Sequence, residues 1–141
     1  MAPTKLAISG AAGRMGRRLL ALATADPDVE LVQAIEYAEH PLMGKTVSQI
    51  EPEAKSEILL TPQLLAGADV VIDFSSPAGT TALAKRAVEL GIALVIGTTA
   101  KDFAWREDIK KSSTQHVPLI HAHNFSLGVN LMCKVCAICQ A

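Results

Sequence analysis

Lys5-Leu-Ala-Ile-Ser-Gly-Ala-Ala-Gly-Arg-Met-Gly16 is the stretch on which the fold turns. Lys5 to Ser9 is a short apolar run ended by glycine, the pattern of a buried strand. Met15 to Ala25 carries Leu19, Leu20 and Leu22 beside Arg17 and Arg18, which predicts a helix packed on one face. Gly10, Gly13 and Gly16 lie at the junction. A strand-to-helix turn of this kind needs glycine for the tight turn, for backbone N–H groups to approach a pyrophosphate, and for close helix–strand contact. The helix start then offers unpaired N–H donors and a partial positive charge. The G-x-x-G-x-x-G spacing is one residue longer than the usual dinucleotide fingerprint, but its place between strand and helix points to a nucleotide phosphate site.

Downstream, Pro27 stops the helix and Glu30 to Ile35 reads as a second strand. Glu36 ends that strand, twenty residues after Gly16, where an acid commonly bonds adenosine ribose hydroxyls. Residues 37 to 57 read as a polar loop, Ile58 to Leu60 as a short strand and Pro62 to Ala66 as a short helix. Val70 to Phe74 is a strand buried on both faces. Ser76 and Pro77 then cap and open a helix that ends on Gly91. Ile92 to Ile96 is the next strand, Asp102 to Ser112 a polar helix, Val117 to His121 a sixth strand, and a last helix starts near Gly128. Alternating strands and helices predict an α/β, Rossmann-like, doubly wound parallel sheet in three αβα layers. Ligands of such sheets bind beyond the carboxyl ends of the strands. Phe74 and Ser75 stand at one such end, and Gly97, Thr98 and Thr99 at the next, where two hydroxyls could reach a carboxamide.

Composition narrows the classes of function. A net charge of -1 and 4% aromatic residues remove the electrostatic and stacking cases for nucleic acid. No apolar run reaches the roughly 18 residues of a membrane span, and the chain enters its first strand without a signal peptide, so a cytoplasmic location is expected. Cys133, Cys136 and Cys139 match part of an iron–sulfur spacing but lack a fourth ligand, and their intervals of three place them on one helix face. They are expected to pack in a core, with no metal bound.

Four segments carry a family resemblance: Gly10-Ala-Ala-Gly-Arg-Met-Gly16, Asp73-Phe-Ser-Ser-Pro77, Gly97-Thr-Thr99 and Asn124-Phe-Ser-Leu-Gly-Val-Asn130. In this order they resemble the dihydrodipicolinate reductases of lysine and diaminopimelate synthesis, across essentially the whole chain. The resemblance implies that Gly10, Ala11, Ala12, Gly13, Arg14 and Met15 hold the pyrophosphate of NADH or NADPH, with Glu36 on the ribose. It implies that Gly97 to Thr99, and Ala122, His123, Asn124 and Phe125 at a hinge, line the nicotinamide. Family members transfer hydride to a cyclic unsaturated dicarboxylate. The substrate would be met by a second domain that also drives homo-oligomer assembly.

Residues 1–126 are thus expected to form the dinucleotide-binding domain, and 127–141 to begin the hinge and substrate domain. The paired-histidine and lysine motif of that second domain does not occur here, so no catalytic residue is assigned. The chain is expected to bind cofactor without turnover and to be monomeric. Tyr37 follows Glu36 where many relatives carry a basic residue, which tilts the expectation towards NADH. His123 stands where a small residue or proline is usual, and is expected to fill space. Two other readings stay open: a homoserine- or semialdehyde-type Rossmann dehydrogenase, and a stand-alone nucleotide-binding module with the cysteines as redox sensors.

Overall fold

The alternation of apolar residues along the first strand already implies two cores. In the computed structural model, which describes residues 2–99 and 117–139, β1 (Thr4–Ser9) is the centre of a six-stranded sheet. It lies between β2 (Val29–Ile35) and β4 (Val70–Asp73). The sheet is completed by β3 (Leu60–Thr61), β5 (Ala93–Ile96) and β6 (Leu119–His121), in the order β3-β2-β1-β4-β5-β6. Every strand pair of this sheet is parallel. The order reverses beside β1, and the gap between β1 and β4 is the switch point at which such sheets leave a crevice.

Leu6 and Ile8 point to one face, where they pack with Leu20 and Ala23 of α1 (Arg14–Ala25). Ala7 points to the other, against Leu83, Ala84 and Ala87 of α3 (Pro77–Leu90). Successive strand side chains face opposite ways, so this division is what period two requires of a sheet covered on both sides. A register shift between Leu6 and Ala7 against β2 lets Leu31 and Ala34, three residues apart, serve the same core. The three-layer α/β arrangement expected from the sequence is present.

Element ends follow local chemistry. Ser76 accepts a hydrogen bond from Gly79 N at the start of α3, Pro77 occupies its first turn, and Gly91 closes it at φ 69°. Three expectations need correction. The polar loop after β2 contains a short helix, α2 (Val47–Ile50), whose start is tied by Thr46 N donating to Gln49 Oε1, with Val47 and Ile50 buried. The short strand is Leu60–Thr61 rather than Ile58 to Leu60, with Leu59 in an isolated antiparallel bridge to Thr46. Pro62 to Ala66 is not helical. The Gln33 amide takes both Leu65 backbone groups, donating to its carbonyl and accepting from its N–H at 2.8 Å each, so a helical ladder has no use of them.

The helix expected over Asp102 to Ser112 lies outside the described residues. The last helix, α4 (Leu127–Cys139), contains no buried residue, and Cys133, Cys136 and Cys139 are all exposed. The expectation that the cysteines pack in a core is therefore corrected: the helix that carries them is exposed along its length. Among the described residues no group of His, Cys, Asp and Glu is placed to hold a metal, and no helix is long and apolar enough to cross a membrane.

Candidate functional site

The glycine turn after β1 is built by close approach. Gly10 has φ +74°, a conformation disfavoured for side chains other than glycine's, and a Cβ there would lie 2.5 Å from the Phe74 carbonyl oxygen. A Cβ at Gly16 would strike the Gly10 carbonyl oxygen and lie 2.6 Å from Ala11 Cα. The first turn of α1 is thus pressed onto the loop that leads into it. Gly13 is the N-cap and supplies no side-chain cap, and the first turn holds no acidic residue. The first N–H groups of a helix have no intrahelical partner, so this end is left open to an anion.

Glu36 closes the loop from the β2 side. Its Oε2 accepts from Ala12 N at 3.1 Å and its Oε1 from Tyr37 N at 3.2 Å. The carboxylate is held at the end of β2 and bound to the glycine turn, a link that the twenty-residue spacing from Gly16 did not show.

A cleft of about 750 Å³ opens over these strand ends. Of the residues singled out from sequence, Gly10, Ala12, Gly13, Glu36, Phe74 and Ser75 line it. Ala11 is fully buried beneath the turn, while Arg14 and Met15 are exposed on the first turn of α1 and do not line the cleft. The others gather on the far side of Phe74. A Cβ at Gly97 would run into the Phe74 ring, and Phe125 meets that ring edge-on with centroids 6.1 Å apart. Ala122 N donates to Ile96 O at 3.2 Å, which fixes the start of the 122–125 segment beside β5. Phe74 therefore joins two groups of predicted residues, one at the glycine turn and one at the β5–β6 edge.

Within the second group the two threonines divide. The Thr98 hydroxyl donates to Asp73 Oδ2 at 2.9 Å and accepts from Ser75 N at 3.1 Å, and the residue is 4% exposed. The expectation that both hydroxyls reach out to a ligand is corrected here, since Thr98 spends its hydroxyl on the protein. Thr99 is exposed. Asn124 accepts from Ser126 N through Oδ1 at 2.7 Å, and Asn130 Nδ2 donates to the Asn124 carbonyl at 3.1 Å. His123 is exposed, with its ring edge-on to His121 at 5.4 Å.

Sequence reading missed one wall of the cleft. Gly79, Ala82, Leu83 and Arg86 of α3 line it, together with Tyr37, His40 and the 62–64 segment. The spacing i, i+3, i+4, i+7 is one helix face, and Gly79, a poor helix former within the first turn, was the available sign. A Cβ at Gly79 would lie 2.9 Å from Ser75 Oγ. Arg86 Nε donates to the Leu64 carbonyl at 3.2 Å, and its Nη1 pairs with Glu89 Oε2 at 2.9 Å.

Sheet order, glycine turn and strand-end cleft together define the class, a Rossmann-type α/β domain. Solved structures agree on the fold. Aspartate semialdehyde dehydrogenase with NADP from Candida albicans superposes with a TM-score of 0.64 at 18% identity, over 87% of this chain and 43% of that one. GenD2 from gentamicin A biosynthesis, in complex with NAD, gives 0.65 at 17% identity, over 89% and 36%. The particular family is settled by sequence: residues 4–125 match the model of the dihydrodipicolinate reductase N-terminus, and the chain belongs to that family. The 4-hydroxy-tetrahydrodipicolinate reductase of Thermomicrobium roseum is 41% identical over 132 residues, covering 91% of this chain and 48% of that protein. The chain thus spans about half the length of this curated relative.

Proposed function

We propose that this chain is the cofactor-holding part of a reductase that moves hydride from NADH or NADPH to a cyclic unsaturated dicarboxylate. The observation that carries the reading is the open helix start at Gly13, reached through a turn in which Gly10 and Gly16 admit no side chain and to which Glu36 is bonded. That arrangement fits a dinucleotide: first-turn N–H groups for the pyrophosphate and a carboxylate beside them for the ribose. Phe74, Gly97 to Thr99 and the 122–125 segment follow the ends of β4, β5 and β6 in turn, where the nicotinamide would extend. The bound cofactor supplies the hydride, and the chain's own residues bind and orient it.

Residues 1–126 are proposed as the dinucleotide-binding domain, with the substrate-binding part following the 122–125 hinge, in a homo-oligomeric cytoplasmic enzyme. Material comprising these 141 residues is expected to bind cofactor without turnover. Preference tilts towards NADH. Glu36 has neutral Tyr37 beside it, Arg14 does not line the cleft, and the Arg86 guanidinium is engaged by Glu89 and Leu64. The test is calorimetric titration with NADH and then NADPH. Saturable 1:1 binding, tighter for NADH, is expected; absence of binding to both would remove the reading.

A further inference from the structure

Asp73 is a buried carboxylate that stability alone does not explain. It is 0% exposed at the end of β4, and neither ion pair among the described residues includes it. Oδ2 receives the hydroxyls of Thr80 and Thr98, while Oδ1 has no hydrogen-bond partner among the described residues. A buried carboxyl group with no cation beside it, and with one oxygen unsatisfied, is costly to keep. What it obtains is direction. The Thr98 hydroxyl donates to Asp73 Oδ2, which turns its lone pairs to receive Ser75 N. The Asp73 carbonyl also accepts from Gly97 N at 2.8 Å.

We propose that Asp73 is a positioning residue for the nicotinamide side of the cofactor site, acting through the Thr98 hydroxyl to hold the 74–75 and 97–99 turns in one relative placement. The proposal rests on the cofactor reading above and deepens it. Asp73 touches no ligand itself. Its carboxylate locks two strand-end turns together, and Phe74 packs in the space left by Gly97 between them. Glu36 lies on the other side of β1 from this lock, and neither it nor the glycine turn, which abuts Phe74 through Gly10, takes part in the lock's hydrogen bonds. Loss of the lock therefore weakens the grip on nicotinamide and leaves the adenosine half in place.

The experiment titrates NADH and ADP-ribose, which lacks the nicotinamide, into the wild-type chain and into Thr98→Val, Thr98→Ser and Asp73→Asn. Thr98→Val keeps the shape and removes the hydroxyl, and Thr98→Ser keeps the hydroxyl, so the pair stays informative if Asp73→Asn does not fold. NADH affinity is expected to fall about tenfold in Thr98→Val, the size of one hydrogen bond at the upper end of its net range. ADP-ribose affinity is expected to stay within about twofold, and Thr98→Ser to recover most of the loss. Equal losses for both ligands, or no loss for either in a wild type that binds NADH, overturn the proposal. A wild type that binds neither ligand sinks the cofactor reading itself, and this inference with it.

Discussion

Replacing Gly16 by alanine sets two effects of opposite sign against each other. Gly16 lies in the first turn of α1, where alanine is the better helix former by about 1 kcal/mol. Opposing this, the new Cβ would meet Ala11 Cα at 2.6 Å and the Ala11 carbonyl carbon at 2.7 Å, with the Gly10 carbonyl oxygen nearer still. Carbon atoms prefer about 3.5–4.0 Å, so the shortfall is roughly 1 Å. All three atoms are backbone, so no side chain can swing aside, and the helix start must lift off the loop. Overpacking of this kind costs about 1–3 kcal/mol, and backbone obstruction places it near the upper end. The net expectation is a loss of about 2 kcal/mol, or a urea midpoint lower by about 1 M. The displaced first turn would also carry its N–H groups about 1 Å further from the phosphate of the proposed site, enough to break a hydrogen bond of normal length. NADH affinity should fall at least tenfold. The assay is urea unfolding followed by far-UV circular dichroism, paired with calorimetry on the folded variant. A midpoint that rises, as helix propensity alone predicts, would show that α1 is not pressed onto the loop. Unchanged NADH affinity in a destabilised variant would refute the role of the turn.

Gln33→Leu leaves the Leu65 N–H and carbonyl without their partner and should cost about 2–3 kcal/mol, read as a lowered urea midpoint. Glu36→Gln removes the charge that the proposed site would set against an adenosine 2′-phosphate, while keeping an acceptor for Ala12 N. The NADPH-to-NADH affinity ratio should then rise about fivefold in calorimetry, the effect of roughly one kcal/mol, and an unchanged ratio counts against the charge argument. Cys133, Cys136 and Cys139 are exposed and should all react with a thiol reagent in the folded chain as quickly as in urea. Slow labelling of any one would show that its face is covered.

The fold was legible because its signals were local and repeated. The β1 run, the glycine turn and the Ser76-Pro77 to Gly91 helix each carry their own punctuation, and the structure places them within a residue or two of the expected ends. What escaped was decided by partners far along the chain. Pro62 to Ala66 has ordinary helical composition, but Gln33, some thirty residues earlier, captures the backbone groups a helix would need. In contrast, α2 was missed although the Thr46 and Gln49 spacing was visible. At the site, strand-end position selected the glycine turn, Glu36 and Phe74. Position alone could not tell that Thr98 faces inward to Asp73 while Thr99 faces out. The α3 wall was hidden because Ala82, Leu83 and Arg86 look like any amphipathic helix until Gly79 shows which face is turned to the cleft.

The bonds around Asn124 fix where leverage can act. Asn124 holds Ser126 N, and Asn130 reaches back to the carbonyls of both Asn124 and Ser126, so the entry to α4 is braced to the helix. On the other side, Ala122 N is fastened to the sheet by Ile96 O. A rotation of α4 against the sheet would pass through the 122–124 backbone, between these two fastenings. A helix of 13 residues is about 20 Å long, so a turn of about 10° at that pivot carries its far end more than 3 Å. The same turn moves the Phe125 ring, close to the fulcrum, only slightly across the face of Phe74. The far end of α4 would travel far while the contact of Phe125 with Phe74 barely stirs.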